Sequence, residues 1–72
     1  PPYPLLREGG RGAYVTFLQQ LLESALYPVG GIDGIFGSRT LSAVEAFQQG
    51  NNLTVDGIVG PNTWHAITNL NF

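Results

Sequence analysis

The sequence predicts a small all-α domain, a three-helix bundle with two duplicated Asp-Gly loop-helix units. Three observations lead there. Apolar residues recur at helical spacing in three separate stretches. The segments Ile32-Asp33-Gly34-Ile35-Phe36-Gly37-Ser38-Arg39-Thr40 and Val55-Asp56-Gly57-Ile58-Val59-Gly60-Pro61-Asn62-Thr63 match at a constant offset of 23 residues, and each runs straight into one of those stretches. No strand pattern flanks either loop. Two copies imply a duplicated unit inside one small domain, not a solenoid.

Taken in order, Pro1 to Pro4 cannot sit in a helix or a central strand, so residues 1–5 read as a linker end and 6–72 as the domain. Leu5 and Leu6 can tuck against the core. The run Arg7-Glu8-Gly9-Gly10-Arg11-Gly12 is too rich in glycine for regular structure and ends where a helical period begins. From Ala13 to Leu26 apolar residues fall at helical spacing at 14, 15, 18, 21, 22 and 25, which turns Val15, Leu18 and Leu22 inward; Pro28, Gly30 and Gly31 stop the helix.

The loops follow a local logic. Asp33 and Asp56 can accept hydrogen bonds from backbone amides two or three residues on, and Gly34, Gly37 and Gly57 are expected in conformations that a Cβ resists, with Gly60 a further structural residue of the second loop. Gly37 is the predicted N-cap of a second helix from about Ser38 to Gln49, with Leu41, Val44 and Phe47 on one face. Gly50-Asn51-Asn52 ends it, and Leu53 and Val55 are expected to bury beside it. Pro61 opens a third helix at the position where its missing N–H costs nothing, placing Trp64, Ile67 and Leu70 inward.

Composition limits function. Seventy-two residues make one domain of modest core. No apolar run approaches the ~20 residues of a membrane span. Only 11% of residues are charged, so the surface is largely neutral and polar, which suits a neutral polar ligand. Net charge is −2, Lys is absent, and Arg7, Arg11 and Arg39 are the cations, an arrangement unsuited to nucleic acid or anionic membrane. With no cysteine there is no disulfide, thiolate catalysis or Cys-ligated zinc.

Candidate chemistry is sparse. Asp33 and Asp56 could be a glycosidase carboxylate pair, but each sits in the same Asp-Gly turn with amides to accept, and loop structure is the stronger reading. Neither loop has the repeated ligands and terminal Glu of an EF-hand. His65, the single histidine, has no partner for a zinc site, and no spacing supports a triad with Ser24, Ser38 or Ser42; it is expected exposed on its helix. Gly34-x-x-Gly37 and Gly57-x-x-Gly60 lack the basic residues of an RNA-clamping loop. Gln19 and Gln48 are read as amides that satisfy loop backbone groups. Trp64 could stack on a sugar, yet its spacing with Ile67 puts it in the core. The pattern leaves Tyr27, Phe36, Arg39, Asn62 and Tyr14 as candidate ligand contacts. No catalytic residue, metal or cofactor is expected.

Gly9-Gly10-Arg11-Gly12 followed by Val15, Leu18-Gln19 and Leu22, then Asp33-Gly34-Ile35-Phe36-Gly37, Thr40, Ala43-Val44, Phe47-Gln48, Leu53, Val55-Asp56-Gly57 and Gly60-Pro61-Asn62-Thr63-Trp64, closely resembles the peptidoglycan-binding domain 1 family from Leu6 to Leu70. The resemblance implies a three-helix, noncatalytic targeting module, usually appended to bacterial cell-wall hydrolases, with relatives among the prodomains of matrix metalloproteinases. It implies a monomer that meets peptidoglycan, through glycan or stem peptide, in an extracellular, periplasmic or wall-associated setting. The expected site is a shallow groove beside the loops, with Arg39 and Asn62 as hydrogen-bonding groups and Tyr27 or Phe36 as aromatic contact. The alternative is a protein-interaction or prodomain-like module that packs on a partner domain without touching glycan. One departure is Leu26, which stands before Tyr27 where the family usually has Gly.

Overall fold

The computed structural model describes residues 3–69, and its helices are α1 (Ala13–Ser24), α2 (Ser38–Gly50) and α3 (Pro61–Thr68). None is long and apolar enough to cross a membrane. At 12, 13 and 8 residues they are too short to persist alone in water, so the buried faces hold them. Val15, Leu18 and Leu22 of α1, Val44 and Phe47 of α2, and Trp64 and Ile67 of α3 meet in one core, which Phe36 and Val59 complete from the loops. Truncating Phe47 to alanine there would cost about 3–5 kcal/mol. Leu70 and the residues after it, like Pro1 and Pro2, lie outside the described residues.

All three helices begin at glycine N-caps, Gly12, Gly37 and Gly60, with no side-chain cap. Gly37 (φ −103°) and Gly60 (φ −105°) are extended, as an N-cap requires, so the expectation that a Cβ would be resisted at Gly37 is corrected. Gly34 (φ 76°) and Gly57 (φ 71°) do take the left-handed conformation.

Helix α1 stops earlier than its apolar pattern. Leu26 N donates to Glu23 O at 3.0 Å and Tyr27 N to Leu22 O at 2.8 Å, a Schellman motif with Leu26 in the left-handed position at φ 69°. Helix α2 ends the same way: Asn52 N donates to Gln49 O at 3.3 Å and Leu53 N to Gln48 O at 2.8 Å, with Asn52 at φ 58°. Asparagine tolerates that conformation better than leucine does. Val55, expected buried, is 50% exposed, because the turn that sinks Gly57 and Val59 points its side chain outward.

The glycine-rich segment after Leu5 laces the two loops together. Leu6 and Val59 exchange hydrogen bonds at 3.1 and 2.8 Å; Gly9 N and Gly12 N donate to Phe36 O and Gly34 O, and Phe36 N donates back to Gly10 O, each at 2.9 Å. Tyr3 and Pro4, within the expected linker end, are docked: the Tyr3 ring stacks on Trp64 at 4.6 Å between centroids, and Trp64 Nε1 donates to Pro4 O at 2.8 Å.

Candidate ligand-binding site

Each Asp-Gly loop is built around one buried glutamine. Gln19 Oε1 accepts from Asp33 N at 3.1 Å and Gly34 N at 2.9 Å, while its Nε2 reaches Asp33 Oδ1, Ile35 O and Thr40 Oγ1 at 3.1, 3.0 and 3.0 Å. Gln48 repeats this on the second loop. Its Oε1 accepts from Asp56 N and Gly57 N at 3.2 and 3.0 Å, and its Nε2 reaches Asp56 Oδ1, Ile58 O and Thr63 Oγ1 at 2.9, 3.0 and 3.1 Å. A carboxamide carries two donors and one acceptor oxygen, so each glutamine is fully occupied and offers nothing to a ligand. The amides serve the loops, as read from sequence.

Each carboxylate also serves its loop, through Oδ1. Asp33 Oδ1 accepts from Ile35 N at 3.0 Å and Asp56 Oδ1 from Ile58 N at 2.9 Å. These backbone donors, and after them the Gln19 and Gln48 side chains, hold both carboxyls below their ordinary pKa. A depressed carboxyl stays ionised and is a poor general acid.

Beside each loop lies an open depression. The first, about 280 Å³, runs from Val29, Gly30 and Gly31 past Asp33 and Ile35 to Gly37, Ser38 and Arg39. Arg39 lies folded over the glycine backbone: a Cβ on Gly30 would fall 2.6 Å from its Cδ and 2.8 Å from its Nη1. The approach to Gly30 also depends on the connector after α1, where Val29 N donates to Glu23 Oε2 at 2.8 Å. The second depression, about 550 Å³, is lined by Leu5, Asn52, Leu53, Thr54, Asp56, Ile58 and the start of α3 from Gly60 to Thr63.

The candidate contacts do not assemble into one groove. Arg39 and Asn62, both exposed, line separate depressions. Phe36 is 1% exposed and is corrected from contact to core, because the loop turns its ring inward to join the buried cluster. Tyr27 is half-buried, its ring edge-on to Phe47 at 5.5 Å between centroids and its hydroxyl over Gly50, where a Cβ would come within 2.5 Å. Tyr14 belongs elsewhere, 6.2 Å from the Tyr3 ring in a cluster with Phe17 and Trp64. Trp64 is 3% exposed, and His65 is exposed on α3. Sequence reasoning missed Gly30 and Gly31 as walls of the first depression and Leu53 and Thr54 as walls of the second. The 23-residue offset, carried back from the loops, would have paired all four.

The chain is similar to known proteins in sequence and in fold. The chain is 44% identical over 69 residues to the zinc D-Ala-D-Ala carboxypeptidase of Streptomyces albus G, a match covering 90% of this chain and 26% of that protein. It is 38% identical over 65 residues to the N-acetylmuramoyl-L-alanine amidase CwlL of Bacillus licheniformis, covering 88% of this chain and 18% of the amidase. The chain therefore spans only a minor part of either relative. Among solved structures, a peptidoglycan-binding protein from Clostridioides difficile in complex with glutamine hydroxamate superposes with a TM-score of 0.86 at 42% identity, over 89% of this chain and 40% of that one. The profile described as "Putative peptidoglycan binding domain" matches residues 11–67, and with the three helices in place the chain belongs to that peptidoglycan-binding domain family.

Proposed function

We propose that this domain is a noncatalytic module that holds an attached or partner enzyme against bacterial peptidoglycan, outside the cytoplasmic membrane. One observation carries the reading: the wall hydrolases it resembles match it over about nine-tenths of its length but over only about a quarter or less of theirs. What is shared is this module, and the rest of each relative leaves room for the activity its name describes. The first depression is the contact surface, because it places the guanidinium of Arg39 over glycine backbone that carries no side chain of its own. A guanidinium presents forked donors suited to a carboxylate, such as the end of a stem peptide.

Sedimentation with purified sacculi tests this. The folded domain is expected in the pellet, and a domain that stays in the supernatant at concentrations on the order of tens of micromolar overturns the reading. Arg39→Ala is expected to weaken sedimentation without lowering the melting temperature. Unaltered binding removes Arg39 from the site.

A second reading, docking on a partner domain without wall contact, is favoured by the aromatic face on which Tyr3 and Tyr14 remain 42% and 50% exposed. Deleting the module from its parent chain separates the two. Altered control of the enzyme with unchanged wall binding supports docking.

A further inference from the structure

The two depressions are counterparts with different chemistry. Advancing the first by 23 positions carries Gly30 to Leu53, Gly31 to Thr54, Asp33 to Asp56, Ser38 to Pro61 and Arg39 to Asn62, and every residue reached lines the second. Both have a committed aspartate in the wall, held by the same amide and glutamine donors. The first also carries the Arg39 guanidinium among its lining groups. Among the described residues that line the second there is no cation, and Asp56 stands beside Asn52, Thr54 and Asn62. An anion entering there would meet an uncompensated carboxylate. A neutral group would meet three exposed amide and hydroxyl side chains beside the apolar surfaces of Pro61, Leu53 and Leu5.

We infer that the second depression is a subsite for the neutral, N-acetylated sugar of the glycan strand, while the first takes a carboxylate. This rests on the wall-binding reading above and adds a division of labour to it. The sugar's acetamido and hydroxyl groups pair with Asn62 and Thr54. Its apolar face and acetyl methyl lie against Pro61 and Leu53, the mixture of apolar wall and few polar groups that small-ligand sites use. The volume of about 550 Å³, nearly twice the first depression's 280 Å³, accommodates a sugar ring, whereas the smaller one suits a peptide end. Neither subsite alone needs high affinity, because two weak contacts on one polymer reinforce each other.

The test is an amide chemical-shift titration of the labelled domain with two separate probes, N,N′-diacetylchitobiose and an N-acylated D-Ala-D-Ala peptide. The disaccharide is expected to shift Thr54, Ile58 and Asn62 and leave Gly30 and Gly31 in place; the peptide is expected to do the reverse. Asn62→Ala is expected to weaken the disaccharide about fivefold, as the loss of one hydrogen bond predicts, with the peptide response retained. A disaccharide that leaves residues 52–63 unmoved, or moves Gly30 and Gly31 instead, overturns the assignment. Sedimentation of the same sample with sacculi distinguishes the failures. Binding without the disaccharide response refutes the subsite alone, whereas no binding refutes the wall-binding reading beneath it.

Discussion

Gln19 and Asp33 bond to each other twice: the carboxamide Nε2 donates to Oδ1 at 3.1 Å, and its Oε1 accepts the aspartate's own backbone N–H at 3.1 Å. The pair is selective for this chemistry, since an apolar or acidic residue at 19 cannot both donate and accept. Gln19→Leu leaves the Gly34 N–H buried without its acceptor, and Gln19→Glu adds a carboxylate facing Asp33. Each substitution is expected to cost at least about 2 kcal/mol, and Gln48→Leu a similar amount. Urea denaturation checks this; midpoints that do not move would show that the loops hold without their glutamines.

The two aspartates make stability depend on pH with a definite sign. Their folded pKa values lie below the ordinary 3.8, so the unfolded chain binds more protons in that region. Their contribution is present above the ordinary value and is lost as pH falls through the folded values. Asp33→Asn and Asp56→Asn keep an acceptor for the turn but cannot ionise. Their melting temperatures are expected to fall less than the wild type's on acidification below about pH 4. Parallel pH profiles for all three proteins would contradict this.

Glycine is required at Gly34 and Gly57 for two reasons at once. Both have positive φ, and an added Cβ would stand 2.9 Å from Thr16 Oγ1 or 2.6 Å from Leu41 Cδ1. Gly34→Val and Gly57→Val are each expected to lose about 2 kcal/mol or more. Gly37→Ser is the contrasting case, since that N-cap is extended with nothing near its Cβ position, and it is expected to change stability by about a few tenths of a kcal/mol at most. Thermal melts of the three variants decide the matter.

Leu26 holds a left-handed backbone while remaining 86% exposed, so its side chain gains little from burial and bears the steric cost of that conformation. Leu26→Gly is expected to raise stability by about 1 kcal/mol, with the hydrogen bonds of the Schellman motif unchanged. A lower melting temperature would mean that added backbone freedom in the unfolded chain outweighs the relief of strain.

The helices are legible in the sequence because burial obeys a period: Val15, Leu18 and Leu22, then Val44 and Phe47, then Trp64 and Ile67 fall where three-to-four-residue spacing places them. The glutamine cassettes are legible because a buried amide must find partners and the adjacent loops supply them. Residues 6–12 are not, because their attachment is made by backbone groups, which leave no mark in side-chain pattern. Phe36 misleads for a related reason: a loop residue has no period to show which way it faces. Arg39 and Asn62, chosen because the apolar pattern leaves them outside, suggest one groove, although the 23-residue offset makes them counterparts. Equivalent positions on two copies line two depressions, and only the three-dimensional arrangement separates them.

The lacing of the N-terminal segment has a kinetic meaning. Trp64 reaches back to Pro4 across 60 residues, and Leu6 closes on Val59, so the second loop and α3 are pinned by contacts between distant parts of the chain. Helices this short cannot wait in place as finished parts. Contacts this distant raise the contact order above that of a simple helical bundle, which is expected to slow folding relative to one. The wall that Leu5 gives the second depression depends on that distant closure, whereas the first depression is walled without the N-terminal segment.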